Sequence, residues 1–135
     1  MPPTWLLKLS SRSHVFLYRL FGGRFGKTMN GLPVLLLTTT GRRSGLERTT
    51  PVVFLRDGED FIIAPGVRER PDWYLNLKKQ SRVTIQIGNS IRQVRAIEVD
   101  PEERSRLWKK VPDYWNDYQE KAKSELPLII LRAND

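Results

Sequence analysis

At about 100° per residue, Trp5, Leu6, Leu9, Phe16, Leu17 and Leu20 fall within one arc of about 120°, which predicts an amphipathic helix over residues 4–20. Lys8, Arg12 and Arg19 line one edge of that arc, and Ser10, Ser11 and His14 lie opposite. Glycines crowd residues 21–32 and predict a loop. Pro33 then opens the apolar run PVLLLTTT, a buried strand over about 34–40. GRRSGLE is a turn with a glycine near each end, and RTTPVVFL is a strand over 48–55. Asp57-Gly58 marks a hairpin loop, followed by a third strand from Phe61 to Ala64 that Pro65-Gly66 breaks. Pro71 opens a short helix, PDWYLNLKK. Val83, Ile85 and Ile87 alternate with Arg82, Thr84 and Gln86, the pattern of a half-buried strand. Asn89-Ser90 turns it into a partner over 91–99. Asp100, Pro101 and Glu103 have the spacing of a capping box on a helix to about Lys110. Pro112 separates it from a second helical stretch, DYWNDYQEKAK, and PLIILR is a last apolar strand.

Six strands and three or four helices, neither alternating nor all-helical, predict a mainly β member of the α+β class. Sequential hairpins and a late returning strand predict a mostly antiparallel sheet or small barrel with helices outside. At 135 residues the chain is one domain, 1–135, with a helix and loop in 1–25 and the barrel in 33–132.

Composition narrows the chemistry. There is no cysteine, which excludes disulfide scaffolds, thiolate nucleophiles and Cys-ligated metals, and it fits a cytoplasmic protein. A single histidine, His14, leaves no parts for a His-rich metal site or a local triad, so no metal is expected. The apolar stretches near the N-terminus are broken by bases and no small-residue cleavage pattern follows, which argues against a secretory signal. The net charge is +8, yet residues 1–48 hold eight bases and one acid, so seven of those charges lie in the first third. Such an excess suits an anionic partner: nucleic acid, an acidic lipid surface or a small polyanion. No helix-turn-helix, RNA-recognition or zinc signature accompanies it, so no nucleic-acid contact is expected. The basic helix over 4–20 has two readings, peripheral contact with the inner face of the plasma membrane or packing on its own domain.

Three clusters carry candidate chemistry. TTTGRRSGLERTTP brings Arg42, Arg43 and Arg48 to a glycine-bracketed turn between strands. Guanidiniums grip phosphate or carboxylate in bidentate fashion, and the glycines would let backbone amides approach a ligand. The alternative is a solvated basic hairpin. The second cluster runs from the corner Ala64-Pro65-Gly66 through Arg68 to Trp73 and Tyr74, where amides could meet the edge of a flat ring and an aromatic pack on it. The third is Tyr114, Trp115 and Tyr118, with the tyrosines four apart on one helix face, able to line a pocket or simply to pack.

LLTTTGRRSGLERTTPVVFLRDGEDFIIA, then DWYLNL, VTIQIG and DYQ…LPLIIL resemble the deazaflavin-dependent nitroreductase family, also called the coenzyme F420-dependent quinone reductases, over about residues 14–132. The resemblance implies a split β-barrel of the flavin-reductase, FMN-binding type. It implies hydride transfer from reduced coenzyme F420 to a quinone, enone or nitro compound. By matching positions, Arg42, Arg43 and Arg48 would hold the coenzyme's phosphate and oligoglutamate tail. Thr50, Pro51 and Val52 would border the cofactor, Ala64, Pro65 and Gly66 would meet its ring, and Trp73 would close that side. Tyr114 and Tyr118 match substrate-lining tyrosines, one of them a possible proton donor. The loop after Gly66 is shorter than in relatives, with Arg68 in place of a lysine, and Val111 replaces a further tyrosine. Alternatives are FMN as cofactor, or a non-enzymatic barrel that binds fatty acid, flavin or haem. The expected partner is a small acceptor, with the protein a monomer or homodimer.

Overall fold

A computed structural model describes residues 33–66 and 70–133. The helix and loop expected within residues 1–32, and Arg68, lie outside them. Seven strands form one antiparallel sheet: β1 (Val34–Thr40), β2 (Glu47–Val53), β3 (Leu55–Asp57), β4 (Asp60–Ile63), β5 (Arg82–Ile87), β6 (Ser90–Glu98) and β7 (Ile129–Ala133). Among the described residues three helices accompany it: α1 (Asp72–Lys79), α2 (Pro101–Trp108) and α3 (Asp113–Lys121).

The strand order is β2-β1-β5-β6-β7-β4-β3. The strand expected over 48–55 is thus two strands at opposite ends of that order, with only Phe54 between them. Successive Cα atoms lie 3.8 Å apart across a trans peptide. The sheet must therefore curl until its two edges meet at Phe54, which makes it a barrel. Phe54 leaves the ladder to donate its N–H to the Pro33 carbonyl at 3.1 Å, and its ring packs edge-on against Phe61. Pro51, which has no N–H, is tolerated in β2 because that strand is an edge.

The period-2 pattern sorts the core. Leu35 and Leu37, Val83 and Ile85, Val94 and Ala96, and Ile129 and Leu131 point inward from four neighbouring strands. Tyr74 and Leu77 of α1 join this inner cluster. The opposite faces of β4 and β7 offer Ile62 and Ile130, which bury Leu107 of α2 and Trp115 of α3. A fully buried leucine such as Leu107 contributes about 1.5–3 kcal/mol.

Boundaries differ from the sequence pattern in small ways. Pro71 is the N-cap of α1, with extended ψ, rather than its first residue. The β5–β6 turn is Gly88-Asn89, because Gly88 takes φ +59° and Ser90 pairs with Ile87. Helix α2 stops at Trp108. Asp100 accepts from the Glu103 N–H at 2.9 Å, but the Glu103 carboxylate turns to Arg106, so only half of the capping box forms.

Candidate active site

The turn between β1 and β2 is built from its own hydrogen bonds. Gly41 N–H donates to the Leu46 carbonyl at 2.7 Å, and Gly45 N–H to the Gly41 carbonyl at 2.8 Å. Ser44 Oγ accepts from Leu46 N–H. A Cβ on Gly41 would sit 2.7 Å from Ser44 Oγ and 3.0 Å from the Leu46 carbonyl, and Gly45 holds φ +73°. These glycines are thus demanded by the turn itself. Their amides are engaged within it, contrary to the expectation that they would approach a ligand, and anion recognition falls to side chains.

The turn is latched to α1 by Asn76, which is 3% exposed. Its Oδ1 accepts from the Arg42 N–H at 3.1 Å and from Arg42 Nη1 at 2.9 Å, while Nδ2 donates to Thr39 Oγ1 at 3.2 Å. Arg42 Nη2 also reaches Asp72 at 3.3 Å. The Arg42 guanidinium is therefore committed to α1. Arg43 and Arg48 are exposed and make no ion pair among the described residues. All three line a cleft of about 680 Å³ with Thr39, Ser44, Thr50, Asp72 and Asn76. Three arginines against one aspartate make it a cationic cleft.

A second cleft, of about 250 Å³, adjoins it. One wall is Pro51, Val52 and Val53 of β2, and the next is Ala64, Pro65 and Gly66 beyond β4. The rest is Trp108 from α2, Tyr114, Trp115 and Tyr118 from α3, and Leu126. Gly66 and Trp73 line both clefts, so one continuous groove changes from cationic to aromatic at those residues. Tyr114 stands edge-on to Trp115 and Tyr118, with ring centroids 6.4 and 5.8 Å away. Its hydroxyl is buried and has no hydrogen-bond partner among the described residues. Burial pushes its pKa above the ordinary tyrosine value; the Trp115 indole N–H, close by but outside hydrogen-bond geometry, opposes this, and the nearby Tyr118 adds to it.

The sequence-predicted residues other than Arg68 and Tyr74 therefore converge on one groove. Tyr74, expected as an alternative to Trp73 beside the ring, is instead buried in the inner core. Val111, expected near the substrate, instead packs in the outer core between the helices and the sheet. Asn76, Trp108 and Leu126 were missed as groove or latch residues. Asn76 had one signal: it lies at i+3 from Trp73, on the buried face of a short helix, where an amide needs partners.

The sequence profile of the F420H(2)-dependent quinone reductase family matches residues 10–133. The chain belongs to that family. A relative in Mycobacterium tuberculosis, described as an F420H(2)-dependent quinone reductase, is 34% identical over 130 residues, covering 89% of this chain and 87% of its own. A solved F420-H2 dependent reductase superposes with a TM-score of 0.66 at 29% identity, over 74% of this chain and 94% of that one. The haem storage protein HutZ of Vibrio cholerae shares the fold alone, with 12% identity and a TM-score of 0.56 over 76% and 82% of the two chains. The expected split barrel of flavin-reductase type is borne out. The protein is an oxidoreductase, and coenzyme F420 is its cofactor. The groove fits that cofactor in its chemistry: cationic side chains suited to a polyanion adjoin apolar and aromatic walls suited to flat rings. No cluster of acidic or histidine side chains able to hold a metal occurs among the described residues, and none of their helices is long and apolar enough to cross a membrane.

Proposed function

We propose that the cationic cleft holds the coenzyme's phosphate and carboxylate tail, and that Thr50–Val52 with Ala64–Gly66 border its ring. The aromatic cleft then takes the acceptor, a quinone or a similar electrophile such as an enone or nitro compound. The observation that carries this reading is the meeting of the two clefts at Gly66 and Trp73.

When bound and reduced, the coenzyme supplies a hydride from C5 of its deazaflavin ring. The side chains do the rest. Arg43 and Arg48 bring unpaired positive charge to the tail. Arg42 shapes the turn that presents them and adds its own charge from a latched position. Trp73 covers the junction, and apolar walls exclude water from the acceptor. The Tyr114 hydroxyl, kept protonated by its burial and without a partner among the described residues, lies beneath the cleft wall. In this reading an acceptor that settles against that wall takes a hydrogen bond, and then a proton, from it. Tyr118 forms the wall beside it.

Fluorescence titration with oxidised coenzyme F420, and with FMN in parallel, tests the cofactor end. Micromolar or tighter binding of the deazaflavin alone is expected. Arg43→Ala with Arg48→Ala weakens it by about tenfold, because each exposed charge contributes up to about 1 kcal/mol. Unchanged affinity in that double variant removes the tail assignment. Tyr114→Phe lowers kcat/KM for a quinone and leaves coenzyme affinity alone. The basic amphipathic pattern over residues 4–20 supports a peripheral contact with anionic lipid, where quinones dissolve. Co-sedimentation with anionic vesicles tests that contact, and protein left in the supernatant excludes it.

A further inference from the structure

Behind the aromatic cleft lies a polar cluster that the reaction does not use directly. Arg104 projects from α2 with a side chain only 13% exposed. Its Nε donates to the Leu126 carbonyl at 2.8 Å, its Nη2 donates to Gln119 Oε1 at 2.9 Å, and its Nη1 lies 3.4 Å from the Glu125 carboxylate. The guanidinium also stacks over the Trp108 ring, 4.4 Å from its centroid. Gln119 completes the cluster. The same Oε1 accepts from the Leu126 N–H at 2.7 Å, and Nε2 donates to the Ser124 carbonyl at 2.9 Å. Neither Arg104 nor Gln119 lines the groove. Apart from the Ser124 carbonyl, every group they hold does, or adjoins one that does. Trp108 and Leu126 are walls of the aromatic cleft, and Gln119 follows the wall residue Tyr118.

We infer that Arg104, with Gln119, is a positioning residue for the acceptor: one guanidinium locks Trp108, the Leu126 loop and α3 into a single wall. The geometry requires arginine. A flat fork satisfies a carbonyl, an amide oxygen and a carboxylate at once while its face lies on an indole, and an ammonium cannot do all four. Trp108 is thereby held on its face by Arg104 and on its edge by Asn116, whose Oδ1 accepts from the indole N–H at 2.8 Å. The coenzyme's cationic cleft shares no residue with this cluster, so the tail contacts are left intact and the effect falls on the aromatic cleft.

The inference rests on the reading that the aromatic cleft takes the acceptor. Steady-state rates with reduced coenzyme F420 as reductant and menadione, a soluble naphthoquinone, as acceptor test it. Arg104→Lys and Arg104→Met are expected to raise the menadione KM about tenfold. They should change kcat by no more than about twofold and leave the coenzyme dissociation constant unmoved. Gln119→Glu keeps the acceptor oxygen for Arg104 and Leu126 and stays near wild type, whereas Gln119→Leu behaves like Arg104→Met. That pair carries the test if the arginine variants do not fold. A menadione KM unchanged in Arg104→Met and Gln119→Leu, or a coenzyme affinity that falls in step with it, overturns the inference. Tyr114→Phe and Tyr118→Phe separate the two failures. If they too leave acceptor kinetics unchanged, the aromatic cleft is not the acceptor site and the underlying reading has failed.

Discussion

Asn76 shows how one amide can govern a cationic site. It satisfies the backbone N–H and the guanidinium of Arg42 with one oxygen, and it does so from a helix 34 residues away in sequence. Asn76→Ala leaves the Arg42 N–H and the Thr39 hydroxyl short of a partner, a loss of about 1–3 kcal/mol. Thermal unfolding should register that loss, and coenzyme affinity should fall severalfold because Arg42 is no longer aimed. Wild-type affinity in a variant of lowered Tm would reduce Asn76 to a stabilising role. The arginines and tyrosines of the groove were legible in the sequence because their side chains carry recognisable chemistry. Asn76 was not, since its one signal, an amide on the buried face of a short helix, does not say which distant groups it serves.

At the scale of elements, the β3–β4 hairpin is tied to α2 by charge. Asp57 accepts from Lys110 Nζ at 2.7 Å and from Arg106 Nη2 at 3.0 Å, with its side chain 15% exposed. The hydrogen bonds from Lys110 and then Arg106 hold its carboxyl below the usual aspartate range. A carboxylate lowered in the folded state stabilises the protein above its unfolded pKa, about 3.9, and loses that contribution as the pH falls through the folded value. Asp57→Asn should therefore lower Tm at pH 7, and the gap to wild type should close in acid below pH 4. A gap that persists there would show that the charges are not its source. The mirror case is Tyr74, whose pKa is pushed up to about 12 by burial and by its hydrogen bond to Glu98. Its contribution is complete below about pH 10 and fades as the pH rises through 12. Strands and helices of this size were readable from periodicity and caps. The hairpin-to-helix pairing was not, because Asp57 and Arg106 are 49 residues apart.

For the whole molecule, the seam at Phe54 joins fold to function. Closure there brings β2, with Arg48 to Val53 along the groove, round towards the corner at Ala64–Gly66. Phe54→Ala should cost about 3–5 kcal/mol as a core deletion and weaken coenzyme binding as well. The Arg43 and Arg48 substitutions should weaken binding with Tm unchanged. Calorimetry beside the titration separates the two patterns, and a Phe54→Ala protein of wild-type affinity would uncouple seam from groove.

By itself the sequence determined most of the described elements, their facing and the family. Period-2 and helical spacing are local, and the motif around Arg42–Arg48 with the Trp73–Leu77 segment is specific in combination. Only the tertiary structure decided that residues 48–55 form two strands on opposite edges, that the turn glycines serve the turn, and that Arg42 is a strut while Arg43 and Arg48 stay unpaired. Each of these depends on which distant atom completes a hydrogen bond or an edge, and no local spacing records that.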